Sequence, residues 1–448
     1  MNTQAILSNL NIDRLSEMQE NAVALIRNNI NAVILAPTGS GKTLAFLLPL
    51  VEDIDTNNPN PQAVVVAPTR ELSLQTHKVL CAMKTQCRSV VLHGGKPASL
   101  QHRQIETTKP HIIVATPGRL NDHIAKGNIC TTHIKTLVVD EFDKMFELKF
   151  QDQLQQLLDC LPSRKRCILI SATDMKEIPS FVAFRHHPPA TLDCLGHNSL
   201  APSPNISQHI VRSPQKDKIE TLHKLLCSLG GQQSVVFVNY REAAERVARL
   251  LIDQGHSVAM FHGGMEQQDR ETALSLFGNH SVNILISTDL AARGIDIPTL
   301  QNVIHYHPAQ NAEAYTHRCG RTARWSANGN SYIIISPEET TPPYCSNCTE
   351  TTPLDNTSPP AKPLWTTLYI GRGKGDKLSK TDIVGFLCKI GKLKADQIGV
   401  IDIKPRHSYV AVSQPAIKTL LRNIAGEKIK KMTTIVEPIK TSRLIPKQ

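Results

Sequence analysis

No apolar run in this 448-residue sequence reaches the ~18 residues that a membrane span requires, so no transmembrane segment is expected. Met1–Leu10 has neither a basic start nor an apolar core, and no secretory signal is expected. The eleven cysteines are odd in number and scattered, which argues against a disulfide framework and for reduced thiols in the cytoplasm. The lone C-x-x-C, Cys345-Ser346-Asn347-Cys348, has no second pair nearby, so no zinc site is expected there. The signature of disorder is also missing: 40% of residues are hydrophobic and 20% charged, a globular balance.

Residues 1–363 lack any net charge. The last 85 residues hold 17 Lys+Arg and 6 Asp+Glu, which is +11; the totals of 50 and 39 then leave 33 of each sign before them. The whole excess therefore sits at the C-terminal end, in a segment with strand and helix patterning. That combination points to a polyanion-binding domain rather than a solvated tail.

At ~100–200 residues per domain the length predicts about three domains. Short β-branched runs at Ala32–Ala36, Ala63–Ala67, Ser89–Leu92, His111–Ala115, Thr136–Val139 and Cys167–Ile170 alternate with helix-length amphipathic stretches. This predicts a parallel sheet covered on both faces. A Pro/Ser/Asn-rich stretch over 196–205 reads as a linker. The pattern then resumes at Ser234–Val238, Ser257–Phe261, Asn283–Ser287, Asn302–Tyr306 and Ser331–Ile335. Residues 337–363 contain seven prolines and six threonines and read as a semi-extended tether. A β-α-β-β-α-β sandwich is expected beyond it. Its strands are Thr367–Ile370, Ile398–Ile403, Ser408–Val412 and Thr434–Val436, with helices at Asp382–Ile390 and Ala416–Ile424. The fold class is thus two tandem parallel-sheet α/β domains plus a small α+β domain. The expected boundaries are 1–195, 206–336 and 364–438, with a tail over 439–448.

The strand Ala32–Ala36 runs into Pro37-Thr38-Gly39-Ser40-Gly41-Lys42-Thr43 and an apolar helix, the context of a phosphate-cradling loop. Its glycines admit backbone N–H groups to the phosphates, and the helix N-terminus adds partial positive charge. Lys42 is placed to reach the β/γ-phosphates and Thr43 to ligate Mg²⁺. The strand Thr136–Val139 ends in Asp140-Glu141-Phe142-Asp143. Carboxylates at a strand's C-terminal end share the crevice where ligands of open sheets bind. There Asp140 can hold Mg²⁺ through water, and Glu141 can polarise an attacking water.

With these motifs in place the sequence resembles the DEAD-box ATP-dependent RNA helicases over nearly its whole length, with DEFD in place of DEAD. The resemblance implies two RecA-like domains and the use of ATP, Mg²⁺ and RNA. Leu15-Ser16-Glu17-Met18-Gln19 resembles the Q motif, in which Gln19 reads adenine. Arg70 in Pro68-Thr69-Arg70-Glu71-Leu72, Gly94-Gly95, and Thr116 and Arg119 in Thr116-Pro117-Gly118-Arg119 match the RNA-backbone motifs of the first domain. Asp143 with Ser171 and Thr173 of Ser171-Ala172-Thr173 matches the coupling of hydrolysis to strand separation. In the second domain Gln267, Arg270 and Thr288 match RNA-side positions, Asp296 a nucleotide position and His317 a coupling position. Arg321 and Arg324 match arginines at the γ-phosphate, and such a finger contributes roughly 10³–10⁵ in rate.

The C-terminal segment resembles the appended RNA-recognition-motif-like domain of the bacterial DbpA subfamily. This implies targeting to a hairpin of large-subunit ribosomal RNA, pre-ribosomal particles as partners and a role in ribosome assembly, by a monomer. The segment is poor in aromatics, which suits recognition of folded RNA by basic side chains better than base stacking. Arg372, Lys374, Lys377 and Arg406 are the foremost candidates. Phe142 stands where the family has alanine, and its ring must find room behind the Mg²⁺ site. A hydrolysis-impaired RNA clamp or chaperone is the alternative function.

Overall fold

The computed structural model describes residues 3–37, 39–162, 166–173, 188–195, 205–289, 300–322, 328–352 and 358–439. Internal contacts divide the chain into two units, one holding the described residues up to 195 and the other those from 205 onward. Thr38, Asp296, Arg324 and most of the expected linker 196–205 lie outside the described residues.

The first unit is built on seven parallel strands: β1 (Asn31–Leu35), β2 (Ala63–Val66), β3 (Ser89–Leu92), β4 (Ile112–Ala115), β5 (Thr136–Val139), β6 (Arg166–Ser171) and β7 (Ala190–Asp193). Their order is β3-β4-β2-β5-β6-β1-β7. Every residue of β1, β2, β4 and β5 is buried, as a sheet covered on both faces requires. Alternate residues serve opposite faces: Ala32 and Ile34 join one core cluster, Val33 and Leu35 the other. All C-terminal strand ends point to one edge, where the loops of interest gather.

The second unit contains another parallel sheet: β8 (Ile206–Arg212), β9 (Ser234–Val238), β10 (Val258–Phe261), β11 (Ile284–Thr288), β12 (Asn302–His305), β13 (Gly329–Ile335) and β14 (Thr349–Glu350). Their order is β10-β11-β9-β12-β13-β8-β14. The same unit carries the C-terminal antiparallel sheet, made of β15 (Trp365–Ile370), β16 (Ile398–Ile403), β17 (Ser408–Ser413) and β20 (Val436–Pro438), in the order β16-β17-β15-β20. A small hairpin of β18 (Lys428–Ile429) and β19 (Met432–Thr433) precedes the last strand.

β7, β8 and β14 are strands that the sequence pattern did not predict. β7 alternates half-exposed with exposed residues and β8 mixes buried with half-exposed and exposed ones, so neither carries the continuous apolar run used to find strands. β14 corrects the tether expected over 337–363. Thr349–Glu350 pairs in parallel with β8, Cys345 is buried, and Tyr344 stacks on Tyr315 with ring centroids 4.8 Å apart. Apolar groups interspersed among the prolines anchor this half of the segment to the sheet.

Candidate active site

β1 is wholly buried and delivers Ala36 to the loop in register with the neighbouring strand end: Ala36 N–H donates to Ser171 O at 3.1 Å. Gly39 and Gly41 have φ of +84° and +83°, a region that side chains enter only with strain. At Gly41 a side chain would also collide with that of Gln19. Gln19 is the third residue of the helix Glu17–Asn28 and closes a capping box with Ser16. Its Nε2 also donates to Gly41 O at 3.2 Å, so this helix start is tied to the phosphate loop. Lys42 opens the helix Lys42–Glu52. Its Nζ donates to Ala36 O at 2.5 Å and Pro37 O at 3.0 Å, spanning the loop from beneath. Ser40 Oγ donates to Pro37 O at 2.8 Å. Thr43 lies half-buried in the first turn.

Two strands away, β5 is followed directly by Asp140, which is buried. Burial, with Glu141 next to it, pushes the Asp140 carboxyl up to about 7 against the opposing pull of Lys42. Asp140 Oδ1 accepts the Glu141 N–H at 3.0 Å. Glu141 has φ of +47°, a strained left-handed residue at the head of the helix Phe142–Glu147. Thr173 Oγ1 donates to Asp143 Oδ2 at 3.0 Å. Ser171 Oγ donates to Thr173 O at 2.7 Å and accepts the Thr173 N–H at 3.2 Å. Ser171 and Thr173 therefore join the acidic turn to the phosphate loop.

The crowding expected from Phe142 does not occur. Its ring is 1% exposed, packed into the core below the sheet edge and edge-on to Phe146 at 4.9 Å. As the first residue of a helix it projects away from the carboxylates that flank it.

The other half of the edge, over β2, β3 and β4, holds the remaining first-unit motifs. Arg70 starts the helix Arg70–Ala82, whose N-cap Thr69 accepts the Leu72 N–H at 3.2 Å. A side chain at Gly94 would meet the Arg70 guanidinium at 3.0 Å, so the glycine permits that close approach. Gly95 has φ of +88°. Thr116 occupies the N-cap position of the helix Pro117–Ala125, and Arg119 donates to Lys96 O at 3.0 Å and Gln101 Oε1 at 3.1 Å. Gln101 was not singled out from the sequence. It is buried, donates to His93 O at 2.9 Å and lies 3.3 Å from His123 Nε2, fixing the Gly94-Gly95 loop to Arg119. A polar residue on the buried face of an amphipathic helix was the available signal.

In the second unit Arg318, to which the sequence reading gave no role, is the central side chain. It is 2% exposed. Its guanidinium donates to Asp289 Oδ1 at 2.5 Å and Oδ2 at 2.7 Å, to His307 O at 2.7 Å and to Asn239 Oδ1 at 2.9 Å. It also lies over the Phe237 ring at 5.1 Å. Burial pushes the His307 imidazole down to about 4, and its Nδ1 accepts the Asn239 N–H at 3.2 Å. Arg321 is buried immediately after the helix Ala312–Cys319, which carries His317 beside Glu313 at 3.8 Å. Thr288 ends β11. Gln267 and Arg270 lie in the first turn of the helix Gln267–Gly278, with Arg270 over the Phe261 ring at 4.8 Å.

That helix packs on the C-terminal sheet. Leu368, Ile370, Val410 and Val412 face the C-terminal core, while Thr367, Tyr409 and Ala411 point the other way and are nonetheless buried. Thr272 Oγ1 lies 3.1 Å from Tyr409 OH. Thr367 Oγ1 accepts from Asn279 Nδ2 at 3.3 Å and lies 2.7 Å from Ser281 Oγ. The sheet face is thus occupied by protein. The basic candidates gather at one end of the domain. Lys374 N–H donates to Lys404 O and Gly375 N–H to Pro405 O, both at 2.9 Å, which lays the loop bearing Lys374 on the loop bearing Arg406. Lys374, Lys377 and Arg406 are exposed. Arg372 differs: its guanidinium is engaged by Asp376 Oδ1 at 2.9 Å and Thr433 O at 3.1 Å.

Comparison with known proteins agrees with this layout. The DEAD/DEAH box helicase family matches residues 16–180, the helicase conserved C-terminal domain 217–326, and the DbpA RNA binding domain 367–438. The chain is 33% identical over 444 residues to the ATP-dependent RNA helicase DbpA of Escherichia coli, covering 97% of this chain and 96% of that protein. It is 32% identical over 335 residues to the DEAD-box ATP-dependent RNA helicase CshA of Bacillus subtilis, covering 74% and 67%. Among solved structures it resembles S. cerevisiae Dbp5 bound to RNA and ADP BeF3, with a TM-score of 0.70 and 25% identity over 79% of this chain and 95% of that one.

Proposed function

We propose, from the premise that this chain belongs to the DbpA-like DEAD-box RNA helicases and is therefore an RNA-dependent, ATP-driven enzyme, that it remodels short duplexes of large-subunit ribosomal RNA during ribosome assembly. The observation that carries the targeting part is the docked C-terminal domain. Its sheet face is buried on the helix Gln267–Gly278, and its exposed basic end is the surface left for RNA. Backbone phosphates and 2′-hydroxyls of a folded hairpin suit such a surface, whereas base stacking needs an open sheet. On this reading the protein works as a monomer on pre-ribosomal particles in the cytoplasm, in keeping with its eleven free thiols.

Within the active site Lys42 and the loop 36–43 would cradle the phosphates of ATP, and Gln19 would read the adenine. Asp140 and Thr43 fit a divalent cation, because the buried Asp140 carboxyl resists ionisation until positive charge is supplied. Mg²⁺ held there would neutralise phosphate charge. Glu141 would polarise the attacking water, and Arg321 with Arg324 would balance charge at the γ-phosphate. Asp143, Ser171, Thr173 and His317 would relay the hydrolysis step. Arg70, Gly94, Gly95, Thr116, Arg119, Gln267, Arg270 and Thr288 would hold the RNA backbone. The clamp alternative drew on the Phe142 ring beside these carboxylates; with that ring in the core, hydrolysis is the reading retained.

The test is ATP turnover with and without fragments of large-subunit ribosomal RNA, alongside scrambled RNA and DNA of the same sequence. Selective stimulation by a ribosomal hairpin is expected. Equal stimulation by scrambled RNA would remove the ribosomal assignment, and phosphate release unaffected by any RNA would remove the helicase mechanism itself.

A further inference from the structure

The second unit carries a cluster of metal-ligating side chains that takes no part in the nucleotide or RNA motifs. His223 and Cys227 are four residues apart on the helix Ile219–Leu229, so they share one face. His256 faces them from the turn that leads into β10. The His223 Nδ1 to His256 Nε2 distance is 2.9 Å, and Cys227 Sγ lies 3.8 Å from His223 Nε2. One donor atom from each of the three residues falls within 4.8 Å of the others. Cys227 and His256 are buried and His223 is half-buried, which leaves one open side toward solvent.

We propose that His223, Cys227 and His256 form a binding site for a Zn²⁺-class cation, with a water molecule as fourth ligand, that clips the helix Ile219–Leu229 to the start of β10. Two imidazoles and a thiolate are a donor set for borderline-soft divalent cations. With Zn–N bonds of about 2.0–2.1 Å, a tetrahedral site separates two nitrogen ligands by about 3.3 Å. The imidazoles are within a few tenths of an ångström of that spacing. Burial and the neighbouring His223 hold the His256 ring neutral, with its pKa pushed down to about 4, and the neutral ring is the ligating form. Burial and Glu220 raise the Cys227 thiol, so metal binding must expel its proton. The proton shared between the two rings shifts to the far nitrogen of its own ring, so each imidazole stays neutral and presents a lone pair to the metal. The C-x-x-C at 345–348 is a separate thiol pair and is removed before the measurement.

The experiment uses the full-length protein, stripped with chelator, in a Cys345→Ser/Cys348→Ser background. Zn²⁺ uptake is measured by equilibrium dialysis with elemental analysis, and Co²⁺ uptake by absorption spectroscopy. One equivalent of Zn²⁺ is expected, with a thiolate-to-cobalt charge-transfer band that disappears in Cys227→Ser. Removing an outer-shell partner of a metal ligand already weakens binding by roughly 10–100-fold, so loss of a direct ligand in His223→Gln or His256→Gln should weaken it at least as much. His223 is half-buried, so its variant remains informative if a change at buried Cys227 prevents folding. Zn²⁺ affinity unchanged in His223→Gln, or no Zn²⁺ bound by the folded parent protein, would overturn the site.

Discussion

Arg318 shows how much one side chain can hold. It is buried, shares two hydrogen bonds with Asp289, and reaches Asn239 and the backbone of His307. A buried charge stripped of part of its network is costly, and lysine cannot reproduce the planar fork. Arg318→Lys should destabilise the second unit by about 3–5 kcal/mol, read as a lower urea midpoint; an unchanged midpoint would remove Arg318 from this role. Phe142 works through packing alone. Phe142→Ala should cost about 3–5 kcal/mol by opening a cavity in the first-unit core, while turnover per folded molecule is retained. Asp140 makes the pH prediction. Its folded pKa of about 7 lies above the ordinary 3.8, so the native chain keeps a proton that the unfolded chain releases between those values. Stability contributed by this group is present below the lower value and is lost as pH rises through the upper one. In buffer without nucleotide or divalent metal, Asp140→Asn should therefore raise the unfolding midpoint at about pH 8 and leave it nearly unchanged at about pH 4.

The helix Gln267–Gly278 is the element with two duties. Its first turn offers Gln267 and Arg270, and further along it meets the C-terminal sheet through Thr272 and Tyr409. The apolar residues Leu276 and Phe277 lie buried on the same helix. Two glycine-free lysines, Lys430 and Lys431, turn the β18–β19 hairpin with φ of +52° and +65°, a conformation that lysine adopts only at a cost. Thr367 ties the docking face to the core unit twice, because Asn279 and Ser281 both approach its hydroxyl. Thr367→Val leaves buried polar groups without that partner and should cost about 1–3 kcal/mol. If chemical unfolding of the second unit does not move, the docking face contributes nothing to its stability.

For the molecule as a whole, the +11 charge now has a place. The excess belongs to a domain docked on the second core sheet, with Lys374, Lys377 and Arg406 exposed at one end. Each phosphate neutralised contributes about 0.7–0.9 to the slope of log affinity against log salt. Lys374→Ala/Lys377→Ala/Arg406→Ala should thus reduce that slope by roughly 2 in RNA binding while leaving ATP turnover without RNA intact. A slope equal to that of the parent protein would move the RNA contact elsewhere. Deleting 364–448 is a harsher test than a tether would imply, since it uncovers Thr272 and Asn279 on the core helix.

Sequence alone determined the features governed by local rules. Buried strands announced themselves as β-branched runs, the phosphate loop as glycines between a strand and a helix, and the acidic turn as carboxylates at a strand end. Family motifs then supplied the candidate residues around them. Strands β7, β8 and β14 escaped because half-exposed strands carry polar residues and their pairing depends on distant partners. Gln101 and Arg318 escaped for a related reason: a polar side chain reveals its role only through the carbonyls and carboxylates brought around it. Only tertiary structure turned Phe142 into the core, buried the C-terminal sheet face on Gln267–Gly278, and set His256 against His223 and Cys227. Each of those outcomes depends on which surfaces meet, and contacts between residues far apart in the chain leave no periodicity to read.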